Sequence, residues 1–309
     1  MINKTETIYV AGHRGLVGSA IIRKLEKEGF SNLLTRTSSQ LDLTRQQDVE
    51  QFFREEQIDY VFLAAARVGG INANATYPAN FIRDNLLIEA NIIDAAYKTG
   101  VKKLLFLGSS CIYPREAPQP MKEEYLLSGP LEPTNQWYAV AKIAGIKLCQ
   151  AYRQQYGFNA ISLMPTNLYG PGDNFDLQSS HVLPALIRKF HEARIGGADS
   201  VEVWGTGKPF REFLHVDDLA DASVFLMERY NEPEIINVGT GQELTISALA
   251  QLVASVIGFN GKIVFDTDMP DGTPRKLLDI HRLTTLGWQA SIGLREGIAA
   301  SYSWFLEQN

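Results

Sequence analysis

Tyr138 and Lys142 stand four residues apart in Tyr138-Ala139-Val140-Ala141-Lys142, so a helix would carry both on one face. A phenol ordinarily loses its proton near pH 10. A neighbouring ammonium favours the phenolate, so a lowered pKa is expected for Tyr138. Ser109 follows an apolar run, 104–107, and from there it can hydrogen-bond a carbonyl oxygen. Such a trio can deliver a proton to an oxygen whose carbon receives hydride. Tyr-x-x-x-Lys alone is common by chance, and a solvated surface pair is its plainer reading. Its place after the serine-bearing run, in a chain that opens with a glycine-rich loop, reverses the odds.

That loop is Gly12-His13-Arg14-Gly15-Leu16-Val17-Gly18, of the form G-x-x-G-x-x-G. It lies between a strand expected at 7–11 and a helix expected at 16–28. Glycines let backbone approach a pyrophosphate, and a helix N-terminus offers free N–H groups and partial positive charge. Turn glycines without a ligand are the alternative, but the strand–turn–helix setting favours a dinucleotide. The second strand, expected at 33–36, ends Leu34-Thr35-Arg36-Thr37 with no acid at its tip to hold ribose hydroxyls. Arg36 and Arg14 could instead clamp a 2′-phosphate, which favours NADP(H); solvated surface arginines are the other reading. Asp42, in Leu41-Asp42-Leu43, is expected beside the adenine.

These residues must be held by alternating strands and helices. Helices are expected at 46–56, 78–97 and 137–156, with Gly100 ending the second, and apolar strands at 60–65, 104–107 and 160–164. Apolar strands alternating with amphipathic helices mean a parallel sheet covered on both faces. The cluster of Gly, Pro, Asn and Asp at 165–174 reads as a loop. Helices follow at 182–192, 216–228, 246–256 and 294–305, with a short strand at 235–238. Asp217 and Asp218 are expected to cap the helix at 216. The fold class is α/β: a Rossmann-like doubly wound parallel sheet with a smaller, interleaved C-terminal substrate domain. Residues 1–168 and about 213–238 are assigned to the nucleotide-binding part, and about 169–212 and 239–309 to the substrate part.

The 309 residues suffice for such a core. A net charge of −6 argues against a general nucleic-acid partner. No apolar run is long enough to span a membrane and no apolar signal segment opens the chain. Cys111 and Cys149 are its two cysteines, too few for a disulfide framework, which favours the cytoplasm. No metal-ligand spacing is seen, so no metal is expected.

Together, Gly12–Gly18, Ala64-Ala65-Ala66, Ser109, Tyr138 and Lys142 resemble the extended short-chain dehydrogenase/reductase family over the whole chain. Further segments resemble its members that act on GDP-linked keto sugars. These are Arg67-Val68-Gly69-Gly70-Ile71, Gly108-Ser109-Ser110-Cys111-Ile112-Tyr113-Pro114 and Met164-Pro165-Thr166-Asn167-Leu168-Tyr169-Gly170-Pro171. Asp173-Asn174-Phe175, His181, Trp204-Gly205-Thr206-Gly207, Arg211 to Asp218 and Pro270 to Lys276 complete the pattern.

The resemblance implies NADP(H) as cofactor and GDP-4-keto-6-deoxy-D-mannose as substrate, with 3,5-epimerisation preceding 4-reduction. A 4-keto group acidifies the protons on carbons 3 and 5, and inversion needs a base on one face and an acid on the other. A perturbed thiol and imidazole can both titrate near neutral pH. The resemblance makes Cys111 the base and His181 the acid, although a buried cysteine and a loop histidine are ordinarily inert. It places Ala65, Leu43, Leu107, Gly108, Pro165, Asn167, Leu168 and His181 against the cofactor, beside the glycine loop, Ser109, Tyr138 and Lys142. It points to Asn167, Val182, Lys189, Trp204, Arg211, Asp271 and Lys276 for the GDP-sugar. Lys189 stands where the family commonly has arginine, which keeps the charge and loses the planar fork. A homodimer packed through the helices at 78–97 and 137–156 is implied as well. A 4-epimerase, a 4,6-dehydratase and a non-catalytic NADP-binding sensor are the alternatives. A dehydratase would carry an acid pair where Cys111 stands.

Overall fold

The computed structural model describes residues 2–269 and 271–308, so Pro270 of the 270–276 motif lies outside the described residues. Its main sheet has six strands in the order β2-β1-β3-β4-β5-β9, all parallel. The strands are β1 (Ile8–Ala11), β2 (Leu33–Leu34), β3 (Tyr60–Leu63), β4 (Lys103–Leu107), β5 (Ala160–Pro165) and β9 (Ile236–Val238). β1, β4, β5 and β9 are buried throughout, as apolar strands covered on both faces must be. β2 is shorter than its sequence pattern suggested.

Helices α1 (Leu16–Lys27), α7 (Val216–Arg229) and α9 (His281–Thr285) cover one face, with Val10, Ile21, Leu105, Leu219 and Leu283 in one core. α2 (Gln46–Glu56), α4 (Pro78–Lys98) and α5 (Gln136–Tyr156) cover the other, around Tyr9, Phe53, Ile92, Phe106 and Ile146. This is the expected Rossmann-like, doubly wound α/β fold. A short helix that the sequence did not announce, α3 (Ile71–Thr76), precedes α4.

A third core forms around Leu186, Phe190, Val203, Phe213, Leu249 and Ile298. It gathers α6 (Val182–Gly196), α8 (Ile246–Ile257), α10 (Leu294–Gln308), β7 (Ser200–Trp204) and β8 (Phe210–His215). The segment 165–174 is not all loop: β6 (Asn167–Tyr169) pairs in parallel with β8. β8 also pairs with β10 (Glu243–Thr245) and β12 (Arg275–Lys276), and β7 pairs with β11 (Lys262–Asp266). Leu283 and Trp288, late in the chain, return to the sheet's own core.

The carboxylates at the start of α7 do not cap it. His215 Nδ1 accepts from the Asp217 N–H, while Asp218 accepts from the Ser291 and Ile292 N–H groups ahead of α10. Glu212, fully buried on β8, accepts from the N–H groups of Thr240, Gly241 and Leu278 at 2.6, 2.8 and 3.0 Å. One carboxylate thereby ties three separate backbone segments across the junction between the sheet and the third core.

Candidate active site

Every parallel strand of the main sheet ends on the same edge, and β1 is the point where the strand order reverses. Gly12 follows β1 with φ of 86°, and a Cβ there would lie 2.7 Å from the Ala65 nitrogen. Only glycine lets that turn sit against the end of β3. No side chain caps the N-terminus of α1 at Gly15, so its N–H groups face outward. Ala65, Leu107, Gly108 and Pro165 lie at or just past the ends of β3, β4 and β5, on the same edge as the glycine turn. An anionic dinucleotide fits this cradle of open N–H groups and close backbone. His13 Nδ1 is buried in it with no hydrogen bond.

Arg14 is exposed beside the turn. Arg36 is paired with Glu56, and its guanidinium carbon lies 5.2 Å from the Phe52 ring centroid. Asp42 is exposed and closes its own turn, accepting from Thr44 N and Oγ1 at 3.0 and 2.7 Å. The Leu43 carbonyl accepts from Asn91.

Ser109 and Cys111 follow the end of β4, and Tyr138 and Lys142 lie on α5. Ser109 caps a short 3-10 turn, 110–112, and its hydroxyl accepts from the Cys111 N–H at 3.3 Å. Tyr138 and Lys142 lie one turn apart on α5, the Lys142 ammonium 5.8 Å from the Tyr138 ring centroid. Lys142 does not depress the phenol as the spacing alone suggested. Burial pushes the Tyr138 pKa well up, and the charges of Cys111 and Glu89 push it further. Lys142 is instead ion-paired with Glu89 of α4 at 3.0 Å, both side chains buried. Burial likewise raises the Cys111 thiol above its ordinary value, against the pull of Lys276, Ser109 and Lys142. Solvent reaches His181, yet the surrounding protein still lowers its imidazole pKa, desolvation first and the Lys276 charge second. The expected neutral-pH thiolate is therefore a thiol here, because its environment is dry. Cys149 is buried and its thiol is pushed up to about 12, as befits a packing residue.

Lys276 reaches this group from the far end of the chain. β12 pairs with β8 so that Lys276 lies opposite Arg211. A small pocket is lined by Cys111, Met121, Glu132, Asn135, Thr273 and Lys276. Asn237, at the centre of β9 and fully buried, secures the approach: its amide donates to the carbonyls of Met121 and Asp279, and Tyr113 donates to its oxygen. The turn holding Cys111 and the segment leading from Lys276 are thus fixed to one strand.

The remaining residues are spread over the third core's elements. Asn167 on β6 donates to the Glu212 carbonyl at 2.7 Å, with Leu168 beside it. His181 and Val182 open α6. Lys189 donates to the Glu202 carbonyl and lies 5.3 Å from the ring centroid of Trp204, which is 53% exposed and free to meet a planar ligand. Arg211 donates to the Phe210 carbonyl. The Asp271 carboxylate is occupied: it accepts from Thr206 N and Oγ1 at 2.7 and 2.8 Å, bracing the Gly205–Gly207 turn. Ser109, Cys111, Tyr138, Lys142, Lys276 and His181 form one electrostatic neighbourhood, while Lys189 with Trp204 forms a separate pair. The sequence reading missed Glu89 and Asn237. Glu89 could have been found, since it falls on the stripe Asn85, Ile92, Ile93 and Ala96 that α4 buries.

Residues 8–239 match the model of the NAD dependent epimerase/dehydratase family. GDP-L-fucose synthase 1 of Arabidopsis thaliana is 63% identical over 99% of this chain and 95% of its own length. GDP-L-fucose synthase of Escherichia coli (strain K12) is 57% identical over 98% of this chain and 97% of its own. Among solved structures, a GDP-mannoheptose C4 reductase from Campylobacter jejuni with NADP bound superposes with a TM-score of 0.90 at 41% identity, covering 99% of this chain and 100% of that one.

Lys276 lowers the pKa of Cys111. Replacing it, Lys276→Met, is therefore expected to raise the thiol's pKa. Iodoacetamide labelling of Cys111, followed by peptide mass spectrometry across pH, should show its midpoint moved to higher pH. An unmoved midpoint would place the cation too far from the sulfur to act on it.

Proposed function

The chain belongs to the NAD dependent epimerase/dehydratase family, and from that premise we propose that it converts GDP-4-keto-6-deoxy-D-mannose to GDP-L-fucose. The observation that carries this reading is a thiol two residues past Ser109, in one electrostatic neighbourhood with Tyr138, Lys142 and an imidazole. A reductase alone needs only Ser109, Tyr138 and Lys142. The names and identities of the curated relatives support the same reaction.

NADP(H) is the cofactor, held by Gly12–Gly18, Ala65, Leu107, Gly108 and Pro165, with Arg14 and Arg36 for the 2′-phosphate; bound there, it supplies the hydride. Asp42, Leu43, Asn167, Leu168 and His181 complete its surroundings. Ser109 and Tyr138 hold the 4-keto oxygen and stabilise the enolate that forms when a proton leaves carbon 3 or 5. In its thiolate form Cys111 takes that proton, and His181 in its protonated form gives one to the opposite face, which inverts the centre. For the reduction, Tyr138 gives its proton to oxygen 4. Its raised pKa keeps the proton in place until the oxygen becomes basic. Lys276 and Arg211 balance the pyrophosphate, Trp204 with Lys189 meets the nucleoside, and Asn167, Val182 and Asp271 shape the groove.

Residues 1–168 with about 213–238 form the nucleotide-binding domain, and about 169–212 with 239–309 the substrate domain. In support, Leu186, Phe213, Leu249 and Ile298 share a core of their own. Among the described residues no helix is long and apolar enough to cross a membrane. Both cysteines are free thiols, which suits the cytoplasm.

Mixing the protein with GDP-4-keto-6-deoxy-D-mannose and NADPH in deuterated water should deplete absorbance at about 340 nm, the reduced-nicotinamide band of the cofactor class. The product should carry deuterium at carbons 3 and 5. Cys111→Ser should slow that exchange by about a hundredfold or more. Untouched NADPH would sink the substrate assignment, and reduction without exchange would leave a plain C4 reductase.

Arg36→Ala should cut the preference for NADPH over NADH about tenfold, or ~1.4 kcal/mol, in paired KM measurements. An unchanged preference would assign the 2′-phosphate to other groups.

The outer sides of α4 and α5 expose Leu86, Leu87, Trp137 and Val140, the last three each about two-fifths open to solvent. Two copies paired through these helices would bury them. Light scattering should then give twice the 34.4 kDa chain mass. A monomer mass would refute the pairing.

A further inference from the structure

Glu89 lies on α4 opposite Lys142 of α5, each side chain 2% exposed, with Oε1 at 3.0 Å from the Lys142 nitrogen. Lys142 is the only partner found for the Glu89 carboxylate among the described residues, and Oε2 is left without a hydrogen bond. Gly145, almost one turn beyond Lys142, makes room for the carboxylate: a Cβ there would come within 2.7 Å of Glu89 Oε2 and 2.5 Å of Phe106. The Lys142 ammonium also sits 4.6 Å from the Phe106 ring centroid.

A buried ion pair whose carboxylate has no partner beyond the one ammonium is a weak device for stability, because desolvating two charges cancels most of their attraction. Apolar side chains of the same size would pack this spot at least as well. Its presence between two long helices therefore points to a use for the charges themselves, and the ammonium end of the pair faces the reacting phenol.

We propose that Glu89 is a positioning residue for the reduction, its carboxylate fixing the Lys142 ammonium beside Tyr138 as a fourth member of the Ser109–Tyr138–Lys142 set. This rests on the reading of those three as the reducing set. Glu89 touches none of the reacting atoms and acts through Lys142. An ammonium carries three N–H donors. Turning one edge of it toward Glu89 presents the others to the cofactor side of the site. The carboxylate's charge also adds to burial in keeping the proton on Tyr138. The other titratable groups around the pair are Cys149 on α5 itself and Cys111 from the turn after β4, with Lys276 beyond it.

The test is a double-mutant cycle read first by NADPH affinity, from nucleotide fluorescence, and then by the pH dependence of turnover. Glu89→Gln and Lys142→Met should each weaken NADPH binding about tenfold. The double variant should bind no more weakly than Lys142→Met alone, because Glu89 works only through that lysine. Glu89→Asp, which keeps the charge, should bind within about threefold of the unaltered protein. In turnover, Glu89→Gln removes a charge that raises the Tyr138 pKa, so the alkaline limb should move to lower pH, and Glu89→Asp should restore it.

If Glu89→Gln does not fold, the double variant loses both charges together, and its comparison with Lys142→Met decides. A double variant tenfold weaker than Lys142→Met, or Glu89→Gln with unaltered affinity and pH profile, overturns the proposal. Unaltered protein that binds NADPH but leaves the ketone unreduced would sink the substrate reading instead, and the binding cycle would still decide the role of Glu89.

Discussion

Parallel strand order is the constraint on which this molecule's chemistry depends. With β1, β3, β4, β5 and β9 all running one way, every segment that leaves a strand end leaves on the same edge. The glycine turn, Ala65, Ser109 with Cys111, and Pro165 are far apart in sequence and neighbours in space for that reason alone. An antiparallel sheet would have divided them between two ends. Buried cross-ties then hold the edge in register. Glu212 gathers three backbone N–H groups, Asn237 gathers two carbonyls and a phenol, and Asn85 bonds both the N–H and the carbonyl of Arg67. Each tie joins loop backbone or a loop side chain to a strand or helix of the core.

Desolvation sets the electrostatics of this edge. It is the largest influence at Cys111, Tyr138, Lys276 and the solvent-open His181, and in each case it favours the neutral form. Nearby charges modulate that tendency without reversing it. For an acid that must keep its proton until the substrate oxygen turns basic, as is proposed for Tyr138, such an environment is useful. A lower pKa would have released the proton before the oxygen could take it.

Periodicity made the helices and the long central strands legible, and α2 falls on the expected residues because Val49, Phe52 and Phe53 mark its buried face so clearly. The glycine loop and the Tyr138–Lys142 spacing were legible because both are local patterns. β6, β10 and β12 were not, since strands of two or three residues carry no alternation to detect; their pairing is fixed by partners remote in sequence. The same remoteness hid the protonation states. From spacing alone Lys142 acts on Tyr138, and only the packing of α4 on α5 shows that Lys142 is paired with Glu89. The pairing of Arg36 with Glu56 was hidden likewise, because it joins the end of β2 to the end of α2.

The proton inventory of Cys111 and His181 follows from the same packing. A thiol with a neutral imidazole and a thiolate with an imidazolium contain the same number of protons, so burial selects between them without changing the count. Here the raised thiol and the lowered imidazole select the neutral pair. Lys276 does not act symmetrically on that choice. Its charge favours the thiolate but opposes the imidazolium, so it drives the pair toward one proton fewer rather than toward an ion pair. A negative charge beside Lys276 would relieve the imidazole and push the thiol further up, so neutralising this lysine moves the pair between proton counts without producing the thiolate–imidazolium pair.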